Sequence, residues 1–579
     1  MALNETRTHL RTAQDELADM KLCEDNLLGQ SWKSWPNKAA FVGLDEHRGP
    51  IELQVKGSIP DWAAGSLYRT GPGVSAIKNT KLGTHYVSHW FDGLAHTHKF
   101  DICPPATKDG TATVTYSSRR QSDDFVEHIK KTGWRGNASF GQRNDPCVGL
   151  FAKVMSYFEP RRLTNNVLLE RDLPGVTSRT PARSNAESKI KNLYLATDSA
   201  SIQEVNPDTL EPLGFTNQSS LHPDLKGALS CAHAQRDPET GDLYNYNLQP
   251  GPVATYRFFR VNASTGKTDI LATVKDPAIG PAYIHSMFLT ENYVILCIPT
   301  SHFAWKGIKI LWDRQLLSAI KPFNKADSMK WIVVDRRHGK GVVARFSTPA
   351  AFFFHSVNAF EEHVYEDDVK RTDICLDYIK YESTDVLFGF FYDVILDQNG
   401  ATKKYWIDDE KYKTINPSFT RQRFRLPLNR KADKAAAAAA AAATGEEVIS
   451  IPGPHAGEMP VINAAYAGKP YQFVYSAGVR GLATFVDSLV KTNIHTRDAL
   501  IWCGPQGHSP GEPVFVARPG ATDEDDGIIL SLVLDGSAET SYLLCLDAKT
   551  MIELGRAEAD FPISIGLHGM HDPAVKGTS

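Results

Sequence analysis

The chain has 579 residues, a formal net charge of −4 and a hydrophobic share of 42%. That share is ample for a large core, and the near-neutral balance leaves no basic footprint for nucleic acid. The eight cysteines are scattered without a C-x-x-C pair, which fits reduced thiols in a cytoplasmic protein, so the N-x-S/T matches at Asn4, Asn137, Asn217 and Asn262 are read as chance.

Residues 1–35 read as an N-terminal arm. The opening MALNETRTHLRTAQDELADMKL is charged throughout and lacks the apolar run of a signal peptide. Leu10, Leu17 and Met20 mark a short, weakly amphipathic helix that would pack on the main body. From Ile51 onward, short β-type runs alternate with turn clusters. TATVTY follows KDG, GDLYNYNL follows RDPET, and TYRFFRVNASTGKTDILATV reverses at Asn262–Gly266. YDVILDQNGATKKYWI and SLVLDGSAETSYLLCLD repeat the strand–turn–strand pattern, which predicts antiparallel hairpins. Sustained to the C-terminus with few helical patterns, this makes residues 36–579 one all-β domain, a propeller or a large barrel. No sequence repeat fixes a blade number.

Arg69–Gly73 (RTGPG) lacks the G-K-[ST] ending of a phosphate loop and reads as a turn. There is no G-x-S-x-G elbow to support a hydrolase. No segment reaches the roughly 18 uninterrupted apolar residues of a membrane span. Two stretches depart from the β pattern. Residues 431–447 hold a run of nine alanines, Ala435–Ala443, read as a surface insertion. In 301–325, Trp305, Leu311, Trp312 and Leu316 interleave with Lys306, Lys309 and Arg314. That composition suits a helix packed on the body and a membrane-interface segment equally well.

The chemistry gathers on histidines. His355 follows three phenylalanines in AFFFHSVNAFEE, and an imidazole buried there needs a partner or a metal. His233 in SCAHAQRD, His285 in YIHSMFL and His568 in SIGLHGMHD have similar surroundings, although their spacing matches no local metal motif. His96 and His98, at i and i+2, face one way along a strand.

These four segments, in this order, resemble the iron-ligand segments of the carotenoid cleavage oxygenases. GSLYRTGPG (Gly65–Gly73), HWFDGLAHTHKF (His89–Phe100), GEMPVIN (Gly457–Asn463) and GEPVFVARPGATDEDDGIILS (Gly511–Ser531) extend the likeness over most of the chain. HWFDGLAHTHKF looks most like the fungal, torulene-cleaving branch.

The resemblance implies a seven-bladed β-propeller with helices and loops capping the active-site face. It implies one Fe(2+) per chain on His233, His285, His355 and His568, leaving two positions for oxygen or water. It places Glu458, Glu512 and Asp198 behind the ligand rings, with Asp198 one methylene shorter than the usual glutamate, so that a backbone shift or a bridging water has to close the gap. His96 and His98 match no ligand position. The expected reaction is O2-dependent cleavage of a conjugated C=C bond in a carotenoid or apocarotenoid, on a cytoplasmic protein that docks peripherally on membranes through residues 301–325. Two alternatives are a stilbene-cleaving relative and a propeller that only binds. Stilbenoid cleavers use a lysine and a tyrosine to hold a phenol. This chain has Thr197 at the lysine position, and Tyr116 is the candidate tyrosine.

Overall fold

The computed structural model describes residues 11–105, 112–136, 138–143, 163–180, 190–366, 368–426 and 445–574. Five four-stranded antiparallel sheets follow one another along the chain. The first pairs Leu168–Arg171, Leu193–Ala196, Ser201–Val205 and Pro212–Asn217. The second runs from Gln235–Arg236 to Thr268–Lys275, and the third from Phe288–Leu289 to Val342–Pro349. The fourth runs from Phe352–Glu366 to Glu446–Pro452, and the fifth from Glu458–Val461 to Ala499–Trp502.

Turn chemistry sets these blades locally. Between Thr255–Val261 and Thr268–Lys275, the Asn262 side chain accepts the Thr265 N–H and Gly266 takes a positive φ of 68°, so Val261 pairs with Thr268. The core fills the gaps between neighbouring sheets. Trp331 of the third blade packs on Tyr378 and Phe424 of the fourth, with ring centroids 5.7 and 5.2 Å away.

The propeller is all-β as expected, but the expected count of seven blades is corrected. Beyond the five blades, the large strands merge into one ten-stranded sheet. Strand Ile51–Gly57 causes the merger: Ile51–Leu53 pair with Thr113–Arg120, while Gln54–Gly57 pair with Glu553–Glu558. At the other end of this sheet, His568–Pro573 pairs with Gly65–Val74. N-terminal and C-terminal strands thus close the ring together.

Two further expectations are corrected. Arg69–Gly73 is not a turn but part of strand Gly65–Val74, with a register shift between Pro72 and Val74 that accommodates the proline. A Cβ on Gly71 would lie 2.4 Å from the Gly566 backbone, so close strand approach explains that glycine. YDVILDQNGATKKYWI forms successive helical turns from Tyr392 to Asp408 instead of a hairpin. Phe391, Tyr392, Val394 and Ile395 are all buried, a spacing that suits one side of a helix, and the Thr402 hydroxyl donates to the Val394 carbonyl to fold the segment back.

The N-terminal helix Ala13–Leu28 starts with a Thr12/Asp15 capping box and docks through charge. Buried Arg11 pairs with Asp19 and bonds the His455 ring, and Glu16 pairs with Arg497. Leu17 and Met20 remain exposed. Residues 1–10 and the alanine run lie outside the described residues.

Candidate metal centre and cavity

The inner strands place the four histidines. His233 directly precedes Gln235–Arg236, His285 precedes Phe288–Leu289, His355 lies within Phe352–Glu366, and His568 opens the last strand. The first two segments touch through a parallel bridge between His233 and Ser286, with the His233 N–H donating to the His285 carbonyl. One ring nitrogen from each of the four lies within 4.8 Å of the others. The Nε2 atoms of His233 and His285 are 3.2 Å apart, and those of His355 and His568 are 3.1 Å apart.

Three rings are oriented from behind. His355 Nδ1 donates to Glu458 at 2.5 Å, His568 Nδ1 to Glu512 at 2.7 Å and His285 Nδ1 to Asp198 at 2.8 Å. A carboxylate acceptor on Nδ1 leaves the Nε2 lone pair for a metal. Burial pushes the His233 ring well below its ordinary range and His355 down to about 4, although Glu458 pulls His355 the other way. Neutral rings are what a metal requires, and an all-imidazole donor set fits zinc, copper, iron or nickel. These residues fit a divalent transition-metal ion.

The shorter Asp198 reaches His285 directly. Its turn is drawn onto the next blade: the Ser230 N–H donates to the Asp198 carbonyl and the Ala232 N–H to Asp198 Oδ1. Asp198 Oδ2 also accepts the Tyr283 hydroxyl at 2.8 Å. Sequence reasoning missed Tyr283. The available signal was its place two residues before His285, where an extended chain puts both side chains on one side.

His285, His355 and His568 line a cavity of about 900 Å³, with Thr197, Asp198 and Tyr283 also in its wall. The wall near the rings is aromatic. Phe91 stacks on Phe390 at 5.0 Å, and Phe354 sets its edge to Phe91 and to the His285 ring. Tyr116 lies elsewhere. It is buried in the core beside Phe100, its hydroxyl is 2.8 Å from His98 Nδ1, and it is not in the cavity wall. Of the two residues considered for a phenol clamp, Thr197 lies in this wall and Tyr116 does not. His98 and His96 are buried together, with ring centroids 4.3 Å apart, away from the four-histidine cluster.

Residues 41–573 match the family described as RPE65, retinal pigment epithelial membrane protein. The chain belongs to the RPE65/carotenoid oxygenase family. Within this family it is 53% identical to torulene dioxygenase of Gibberella fujikuroi, over 99% of this chain and 100% of that protein. It is 47% identical to carotenoid dioxygenase of Neurospora crassa, over 98% and 96% of the two chains. Beta,beta-carotene 15,15'-dioxygenase of Mus musculus is 29% identical, over 92% of each. A solved variant of Synechocystis apocarotenoid oxygenase shares the fold with a TM-score of 0.69 at 22% identity, covering 94% of this chain and 98% of that one.

Proposed function

We propose that this chain is a non-haem iron(II) dioxygenase that cleaves a conjugated C=C bond of a carotenoid or apocarotenoid, torulene first among them, to two carbonyl products. The four imidazoles converging on one point, three of them braced by carboxylates and facing an aromatic cavity, carry this reading. Bound by His233, His285, His355 and His568, one iron(II) ion per chain would supply the dioxygen chemistry.

The chain's own residues position and enclose. Asp198, Glu458 and Glu512 hold the rings with Nε2 inward. Phe91, Phe354 and Phe390 offer ring faces and edges to a flat polyene and exclude water. Adding both atoms of O2 across a double bond releases no proton, so no general base is needed. Thr197 is too short to act as the lysine of a phenol clamp, and Tyr116 lies in the core, so the cavity suits a hydrocarbon better than a stilbenoid. Incubation with 18O2 and torulene, β-carotene, an apocarotenal and resveratrol in parallel should label both carbonyl products of a carotenoid. Turnover of resveratrol alone overturns the substrate class; label in one product only, with aldehyde–water exchange controlled, overturns the dioxygenase reading.

We further propose that the protein is cytoplasmic and takes its substrate at a membrane surface. The seven described cysteines are free of disulfides. No described helix is long and apolar enough to cross a bilayer. Leu317 and Ala319 anchor residues 301–325 in the core, while Trp305, Ile308, Leu311 and Trp312 remain exposed, Trp312 by 69%. Leu311 lies in the cavity wall, as do the exposed Leu17 and Met20. An apolar rim of this kind suits a peripheral contact. Changing Trp305, Leu311 and Trp312 to Ser should weaken liposome binding and lower activity on membrane-dispersed substrate, with metal content unchanged. Undiminished liposome association would refute the contact.

A further inference from the structure

Arg69 is fully buried on strand Gly65–Val74 and does not line the cavity. Its Nη1 donates to the Glu512 carbonyl at 3.2 Å and lies 3.5 Å from Glu512 Oε2. Its Nη2 reaches the carbonyl oxygens of Ile565 at 3.2 Å and Leu567 at 3.4 Å. Glu512 meanwhile accepts the His568 ring N–H through Oε1 and the Gly569 N–H through Oε2, both at 2.7 Å. One guanidinium therefore grips the carboxylate behind His568 and the carbonyl of the residue before it.

Charge singles out the same residue. Asp198, Glu458 and Glu512 crowd three carboxylates behind the rings. Among the described residues, Arg69 is the one lysine or arginine in ion-pair contact with any of them. Its strand neighbour His98, held neutral by burial, adds no competing charge. A buried arginine is costly unless paired, and a planar fork with several acceptors is the arrangement that justifies one. Arg69 meets Glu512 at Oε2 while Oε1 holds the His568 ring, so the guanidinium acts on the ring through this carboxylate.

We propose that Arg69 is a positioning residue for the metal centre, fixing the His568 ring through Glu512 and the 565–567 segment. This rests on the reading that the four histidines hold a metal. Lysine cannot reproduce it, because a point charge pairs with Glu512 but cannot span the two backbone carbonyls.

The test uses the full chain loaded with cobalt(II), following the visible spectrum and the rate of metal release to a chelator. Arg69→Met should shift the spectrum and release metal about 10-fold faster, the lower end of what losing an outer partner of a ligand costs. Glu512→Gln should do likewise. Because Arg69 acts through Glu512, the Arg69→Met/Glu512→Gln protein should release metal no faster than Glu512→Gln alone. Additive effects, or wild-type release and spectrum from a folded Arg69→Met protein, overturn the proposal. Should Arg69→Met fail to fold, Arg69→Lys carries the test: release at least about threefold faster supports the fork, and wild-type release refutes it. Wild-type protein that takes up neither cobalt nor iron would instead sink the four-histidine reading.

Discussion

Two groups of histidines lie close together in this propeller, and only one brings a nitrogen from every ring toward one point. In the group of His233, His285, His355 and His568, three Nδ1 atoms are taken by carboxylates and the Nε2 atoms converge. In the pair His96 and His98, the Nδ1 atom of His98 meets the Tyr116 hydroxyl, while its Nε2 and both nitrogens of His96 have no hydrogen-bond partner among the described residues. The pair is fully buried, and in the larger group His285, His355 and His568 are buried too. Burial alone therefore does not distinguish the two groups; the carboxylates behind three of the four rings do, because each fixes its ring's tautomer and the direction of the free lone pair.

The sharpest way to break this contrast is to delete rings from both groups. Alanine at His233, His285, His355 or His568 should abolish metal binding and turnover, while His96→Leu should leave metal content at the wild-type level. Metal analysis of the purified variants decides it, and full occupancy in any one of the four alanine variants removes that histidine from the ligand set.

The acceptors come next in size. Glu458→Gln and Glu512→Gln should each cost about 10–100-fold in metal affinity or activity. Asp198→Ala should fall in the same range, and Asp198→Glu should retain more activity than the alanine. Equal, wild-type activity in both Asp198 variants would show that His285 needs no carboxylate. Tyr283, which donates to the same oxygen as His285, should limit how well a longer side chain fits.

The smallest effect concerns acid stability and belongs to the unpaired group. Burial first, then Arg120 and His47, push the His96 ring down to about 3. The unfolded ring takes up its proton near 6.5, so between about 6.5 and 3 the unfolded chain binds more protons than the native one. The contribution of a neutral His96 to stability is thus full above about pH 6.5 and falls away as pH drops. Urea midpoints of metal-free protein should decline from pH 7 to pH 5, and His96→Leu should flatten part of that decline. An unchanged slope would mean that His96 is not buried as a neutral ring.

What the sequence revealed follows from how local each cause is. Hairpins such as Asn262–Gly266 were legible because one asparagine and one glycine set the reversal. The segment Tyr392–Asp408 misled because its aliphatic residues suit a strand equally well, and only the packing of Phe391, Tyr392, Val394 and Ile395 against the core chooses the helical turns. The blade count failed for a non-local reason: Ile51–Gly57 joins two groups of strands whose sequences lie at opposite ends of the chain. Of the site, the four histidines were grouped by resemblance and not by spacing. Arg69 sat in a motif that was noticed, yet its partners Glu512, Ile565 and Leu567 are far away in sequence. For Tyr116, a strand residue whose side chain can face the core or the cavity, sequence alone did not choose.

The pairing of His568–Pro573 with Gly65–Val74 also bears on when this centre comes into being. It closes a loop of nearly the whole domain, with Ser564 bonding the Pro72 carbonyl across 492 residues. Contacts of that separation are slow to form, since chain-closure entropy must be overcome before they reward it. His233 and His285 can meet once their two blades exist, but His568 joins them only when the ring is sealed. The four-histidine set is therefore complete only after ring closure, and a chain stalled before that step lacks His568 beside the other three.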